Sequence, residues 1–149
     1  MQRTTGPAAT NEALAALREV YRELEARPVE RACERRTDCC RFKLTGRTPY
    51  VTKPEALLLA KAVRARGRKE LAARSDGACP LLDENGACIA YDARPFGCRT
   101  HFCAAAGGPI ARRDVADLIA RLAALDAAAG GDGVRELPAA LADVLASLR

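Results

Sequence analysis

Apolar residues recur at helical spacing in several stretches of this chain and lose that rhythm between them. Over residues 11–27, Leu14, Leu17, Val20 or Tyr21, and Leu24 share one face, and Pro28 ends the run. Thr52 stands three residues before Glu55, the spacing of a capping box, and opens a second helix through Leu57, Leu58, Lys61 and Val63 that stops near Gly67. Glu55 therefore reads as a cap rather than a catalytic acid. Further on, Val115, Leu118, Ile119, Leu122 and Leu125 line one helix over residues 112–127, and Leu141, Val144, Leu145 and Leu148 line another over 138–148. Gly130-Gly131-Asp132-Gly133 links them, so residues 112–149 are expected as a C-terminal helical hairpin that covers the core or docks another subunit, covering being the commoner use of such faces.

Between the helices the pattern is short-ranged. Residues 42–51 are punctuated by Gly46 and Pro49 and read as a loop or a brief strand, residues 69–74 as an added helical turn, and Asp76-Gly77 as a turn. Two short apolar stretches, 79–82 and 87–91, flank Asp83-Glu84-Asn85-Gly86, the pattern of a small hairpin. Such a hairpin brings Cys79 and Cys88 together. Arg94-Pro95 then redirects the chain, and residues 96–103 are expected as a helical turn returning Cys98 toward the same point. No internal repeat is present. The expected fold class is mainly α with a small β-hairpin: a metal-organised single domain over 1–149, with cysteine-bearing loops in a 28–105 region.

Composition explains why a metal enters that expectation. The hydrophobic fraction is 49%, yet 32 of those residues are alanine and seven are cysteine, which leaves 34 larger apolar side chains in a chain of 149. Leu, Ile, Val and Phe number 30, near the level of about 20% below which charged chains tend to stay unfolded. A bound metal supplies folding free energy to so thin a core. No apolar run approaches the roughly 18 residues that span a bilayer, and residues 1–10 lack the basic-then-apolar order of a signal peptide. The expectation is a cytoplasmic protein with no membrane partner.

The seven cysteines and the one histidine fall into two knots: Cys33, Cys39 and Cys40, then Cys79, Cys88, Cys98, His101 and Cys103. All seven thiols are candidate metal ligands, because soft sulfur donors select zinc, copper(I) or iron–sulfur clusters. A disulfide scaffold is the competing reading, but the count is odd and no secretory signal precedes it. Plain packing is another, and clustering opposes it, since the stretch from 104 to 149 has no cysteine. For His101, ligation and an ordinary hydrogen-bonded role stand level.

Charge adds a second theme. The formal net charge is +5, and between Arg18 and Arg74 there are 16 Lys or Arg against eight Asp or Glu. A basic half of this kind steers toward nucleic acid, an acidic protein or an anionic substrate. Mixed-sign faces such as Arg18-Glu19-Arg22-Glu23 read as solvated surface, so nucleic acid is the lesser reading. Arg35, Arg36, Arg41 and Lys43 surround Cys39 and Cys40 and suit an offset to thiolate charge.

The spacing through Cys33, Cys39-Cys40, Phe42, Thr52, Glu55, Cys79-Pro80-Leu81, Gly86, Cys88, Ile89, Tyr91, Arg94-Pro95, Cys98-Arg99, His101 and Cys103 resembles the YkgJ-type cysteine-cluster family of zinc- or iron-chelating domains. The resemblance spans roughly residues 30–105 and is most specific over 86–99. It implies metal chelation, and through a related cluster in flagellin lysine methylases it points to iron–sulfur chemistry. One departure stands out: the family's first knot carries a further cysteine three residues before the adjacent pair, where this chain has Arg36.

Spacing bears on which metal. Structural zinc commonly uses close cysteine pairs, whereas eight residues separate Cys79 from Cys88 and nine separate Cys88 from Cys98. Such gaps suit an iron–sulfur cluster held by several loops better than a single zinc ion, and the cluster is the favoured cofactor, zinc the other. Arg94 and Arg99 are expected near it, donating hydrogen bonds that offset thiolate charge, with Tyr91 in the same shell. Packing and surface ion pairs with Asp83, Glu84 or Asp92 are the plainer roles for these three. The expected function is metal binding, with redox or group-transfer chemistry on an unidentified small-molecule or protein partner. A non-enzymatic zinc module for protein or nucleic-acid interaction, and metal storage or delivery, are the alternatives.

Overall fold

The computed structural model of the chain describes residues 7–27, 40–41, 47–72, 74–101 and 109–148. Cys33, Cys39 and Cys103 lie outside the described residues, as do Arg35, Arg36, Phe42 and Lys43. Helix α1 runs over Pro7–Glu25, strand β1 over Tyr50–Val51, α2 over Lys53–Ala65, α3 over Phe96–Thr100, α4 over Ala116–Ala128, β2 over Arg135–Glu136 and α5 over Leu137–Ser147. Short 3-10 turns at Tyr91–Ala93 and Arg112–Val115 lead into α3 and α4. Among the described residues the architecture is mainly helical, as the sequence pattern predicts, with one small antiparallel strand pair.

Helix α2 is the central element because it is apolar on two sides. Its adjacent residues Leu58 and Leu59 point about 100° apart around the helix axis and serve different clusters. Leu58 joins Leu14, Leu17, Val20, Tyr21 and Leu24 of α1 with Phe96, Val115, Leu118 and Leu122. Leu59 joins Val51, Val63, Cys79, Leu81, Leu82, Leu137, Leu141 and Leu145. Accordingly α4 packs chiefly on α1, and α5 chiefly on α2. The two C-terminal helices therefore take the covering role.

Two local expectations are refined. The stretch 79–91 does not form a hairpin of regular strands: it is a tight turn with one antiparallel bridge, Leu82 to Cys88. The strand pair lies elsewhere, with Tyr50 opposite Glu136 and Val51 opposite Arg135, a long-range pairing that local alternation does not reveal. Residues 69–72 and 74 form no helical turn. By contrast the Thr52/Glu55 capping box is present in both directions, and Gly67, at φ +79°, follows the end of α2.

The glycine-rich link between α4 and α5 is organised by Asp126, which is buried. Its Oδ1 accepts from the Lys53 backbone N–H at 2.7 Å, its Oδ2 from Gly133 N–H at 2.9 Å, and its carbonyl from Gly131 N–H at 2.8 Å. These bonds satisfy a carboxylate removed from water and tie the start of α2 to the link. A Cβ on Gly131 would stand 2.2 Å from Asp126 Oδ1. At the other end of α1, Arg27 grips Asp117 with two guanidinium nitrogens and the Asp114 carbonyl at 3.0 Å. That pair holds the Asp117 carboxyl at about 2, below its ordinary 3.8.

Three outcomes are expected. Gly131→Ala costs about 1–3 kcal/mol through the forced displacement of Asp126, read as a lower melting temperature by circular dichroism. Gly97→Ala, whose new methyl meets only ordinary contacts at 3.6 Å, leaves the melting temperature nearly unchanged. Below its unfolded value, Asp117 takes up a proton in the unfolded chain before it does in the folded one, so its contribution is complete above that value and is lost as pH falls toward about 2. The urea midpoint of Asp117→Asn therefore falls less than that of the unaltered chain over this acid window.

Candidate metal centre

The loop carrying Cys79 is shaped by an arginine and two aspartates. Arg74 Nε and Nη2 each donate to Asp76 at 3.0 Å, while its Nη1 donates to the carbonyls of Leu82 at 3.1 Å and Asp83 at 3.3 Å. Asp76 Oδ1 also accepts from Ala78 N–H at 3.0 Å, one residue before Cys79. Both contacts hold its carboxyl well below the usual range, the Arg74 bonds more strongly. Asp83 Oδ1 accepts from the backbone of Asn85 at 2.8 Å and of Ala87 at 2.9 Å, which folds the turn that returns the chain to Cys88. Gly86 completes that turn at φ +77°, a conformation that excludes a side chain at little cost only for glycine.

Cys40 comes to the same loop from the first knot. The Cys79 N–H donates to the Cys40 carbonyl at 2.7 Å. The neighbouring Arg41 reaches over the turn, its Nη2 3.8 Å from the position of a Cβ on Gly86, and contributes to the low Asp76 value.

Cys98 is placed from a different direction, by Glu55. This carboxylate is 2% exposed and accepts four hydrogen bonds. Thr52 N–H and hydroxyl donate to Oε1 at 3.2 and 3.1 Å; the Tyr21 hydroxyl and the Phe96 N–H donate to Oε2 at 2.7 and 2.6 Å. Glu55 thus caps its own helix and also fixes the first residue of α3, two positions before Cys98. Burial first, and the Glu55 charge next, push the Tyr21 phenol far above its ordinary range. Tyr21 remains a hydrogen donor at any physiological pH.

Cys79 is buried within the cluster around Leu59, and Cys40, Cys88 and Cys98 are half-buried against that cluster. No disulfide links these four to one another. Among the described residues, no three His, Cys, Asp or Glu side chains are grouped to hold an ion. The donor type suits zinc or iron, and the described donors alone do not make a complete coordination set. Cys33, Cys39 and Cys103 lie outside the described residues.

The expected second layer has a definite arrangement. Arg99 lies over the Tyr21 ring at 4.2 Å and donates to the carbonyls of Arg94 at 2.6 Å and Asp92 at 2.7 Å, and to Glu25. Burial lowers its pKa from the guanidinium range. Its three nitrogens are thus spent on joining α1 to the 91–99 segment, and the acidic partner is Glu25 rather than Asp83, Glu84 or Asp92. Arg94 stacks on Tyr91 at 3.9 Å and donates to the Tyr91 carbonyl at 2.9 Å. His101 is half-buried, and burial, then Arg47, holds its imidazole below the ordinary value. With Cys98 it lines a cleft of about 820 Å³ that also contains the exposed Tyr50 and Val134.

Sequence reading assigned Glu55 only its local cap and missed the Tyr21 and Phe96 contacts, 34 and 41 residues away. Asp83, followed by Glu-Asn-Gly, carried a readable turn signal. The Arg74–Asp76 clamp had none beyond proximity in sequence.

Comparison with known proteins gives one family. The CxxCxxCC model, described as "Putative zinc- or iron-chelating domain", matches residues 32–120, more than half of the chain. No curated protein and no solved structure is matched.

The buried carboxylate makes a direct prediction. Tyr21→Phe removes one donor to Glu55 and costs about 1.5–3 kcal/mol in urea unfolding. Glu55→Gln costs more, because its amide nitrogen faces groups that themselves donate. Stability equal to that of the unaltered chain in both variants would show that this clamp does not hold α3.

Proposed function

Because the chain belongs to the CxxCxxCC family of zinc- or iron-chelating domains, we propose that its cysteines hold a thiolate metal centre, an iron–sulfur cluster in preference to zinc. The observation that supports this reading is that Cys40, Cys79, Cys88 and Cys98, from three separated segments, belong to or border one apolar cluster, with the Cys79 N–H bonded to the Cys40 carbonyl. In this reading Cys33 or Cys39 joins Cys40, Cys88 and Cys98 as the four thiolates of one centre, and the surplus thiols stand outside that set. The wide spacing of Cys79, Cys88 and Cys98 favours a multi-atom core over one tetrahedral ion.

An iron–sulfur cluster supplies one-electron transfer when bound. The residues of the chain prepare its surroundings. Cys79 sits in an apolar setting that lowers the local dielectric, and its N–H is committed to the Cys40 carbonyl, which fixes the two cysteines' backbones relative to each other. The Arg74–Asp76 clamp and the Asp83 turn hold the two arms of the 79–88 loop, and Glu55 holds the start of α3. Redox or group-transfer chemistry on a small molecule or protein in the cytoplasm is the function that such a centre serves.

A structural zinc centre is the second reading, favoured by the thin core. In that case removal of the metal unfolds the domain.

The test is metal analysis with an absorption spectrum on protein prepared without oxygen. The expected result is iron with stoichiometric sulfide and a broad visible absorption that falls by about half or more in Cys88→Ser and Cys98→Ser. Colourless protein with stoichiometric zinc replaces the cluster by the second reading. Protein that retains neither metal after growth in iron- and zinc-supplemented medium would overturn both.

A further inference from the structure

Helix α1, helix α2 and residues 88–93 border an open groove of about 800 Å³. Five cationic side chains border it, Arg18, Arg22, Lys61, Arg66 and Arg99, against the two carboxylates of Glu25 and Asp92. Arg22 is engaged by Glu19 and Arg99 by Glu25. Arg18, Lys61 and Arg66 are exposed, and among the described residues none of them has an ion pair. Arg66 is near enough to Asp83 only to lower that carboxyl's pKa.

Like charges brought to one concavity repel, and at helical i,i+4 spacing such as Arg18 and Arg22 they oppose the helix itself. The fold has balancing carboxylates for two of the five cations and leaves three turned to a common space. A concave wall of low dielectric focuses their field. Leu58, Ala62 and Ile89 line the same groove, and apolar surface beside charged groups lowers the local dielectric and strengthens their contacts. Guanidinium groups match planar or tetrahedral oxyanions through paired N–H donors.

We propose that this groove binds a small multivalent anion, one bearing two or more carboxylate or phosphate groups, beside Cys88. The site stands independently of the metal reading, since its three cations without an ion pair come from α1 and from α2 and its C-cap, and none of its charged residues is a metal ligand. If the metal reading also holds, the bound anion lies at the wall that contains Cys88, and the groove is where an anionic reactant of the centre is held.

Two probes separate the chemistries: tricarballylate, with three carboxylates, and fructose 1,6-bisphosphate, with two phosphates. Each is titrated into the full chain at low salt by calorimetry, with amide shifts followed by NMR and metal content measured before and after. The expected result is one-to-one binding of at least one probe, with shifts at residues 18, 61, 66 and 88–92, unchanged metal content, and affinity that falls with added salt. Arg18→Glu/Lys61→Glu/Arg66→Glu, all at exposed positions, is expected to weaken binding by at least about tenfold while circular dichroism and metal content stay the same. Arg18→Lys/Arg66→Lys retains charge and is expected to keep most of the affinity, which a loss of folding would not do. The proposal is overturned by absence of binding by both probes, by binding the triple variant does not weaken, by shifts confined to other residues, by loss of metal to the probe, or by binding of an oligonucleotide while neither small anion binds.

Discussion

One buried carboxylate sets the relation between the helices and the cysteines. Glu55 is enclosed, and a charge so placed is tolerable only where donors surround it. Thr52, Tyr21 and Phe96 supply those donors from the start of α2, the middle of α1 and the start of α3. A displacement of any of these elements leaves the charge short of a partner. The cost of that shortfall adds to the apolar contacts of the Leu58 cluster in fixing where α1 and α3 sit relative to α2.

The rest of the molecule extends from this point in two directions. On one side of α2, the Leu58 cluster gathers α1 and α4; on the other, the Leu59 cluster gathers α5 and the loop of Cys79 and Cys88. The cysteines border the second cluster, so thiol positions and core packing are set by the same contacts. Ionic clamps do locally what a larger core would do elsewhere. Arg74 with Asp76 shapes one loop, Asp126 orders the glycine link, and Arg27 joins α1 to α4 through Asp117.

Much of this was legible in the sequence because the helices obey local rules. The apolar positions of α1 and the faces of α4 and α5 follow from side-chain periodicity, and the capping box of α2 from the spacing of Thr52 and Glu55. The pairing of Tyr50–Val51 with Arg135–Glu136 was not legible, since two residues are too few to show alternation and the partner lies 84 or more positions away. At residues 79–91 the hairpin is present in reduced form: Leu82 bridges Cys88, backbone bonds run from Ile89 N–H to the Leu81 carbonyl and from Asp83 N–H to the Ala87 carbonyl, and the Asp83 side chain takes the N–H groups of the turn. For the candidate centre, metal chelation was legible from residue type and spacing, and the structure adds the backbone bond from Cys79 to Cys40. The roles of Arg99 and Glu55 were not, because each depends on partners from distant helices, Glu25 and Tyr21, whose approach is a property of packing.

Cys88 borders the basic groove, while Cys98 borders the separate cleft that holds Tyr50, Val134 and His101. Two of the four described cysteines thus stand at openings of unlike polarity, one rimmed by guanidinium and ammonium groups and the other mostly by hydrocarbon.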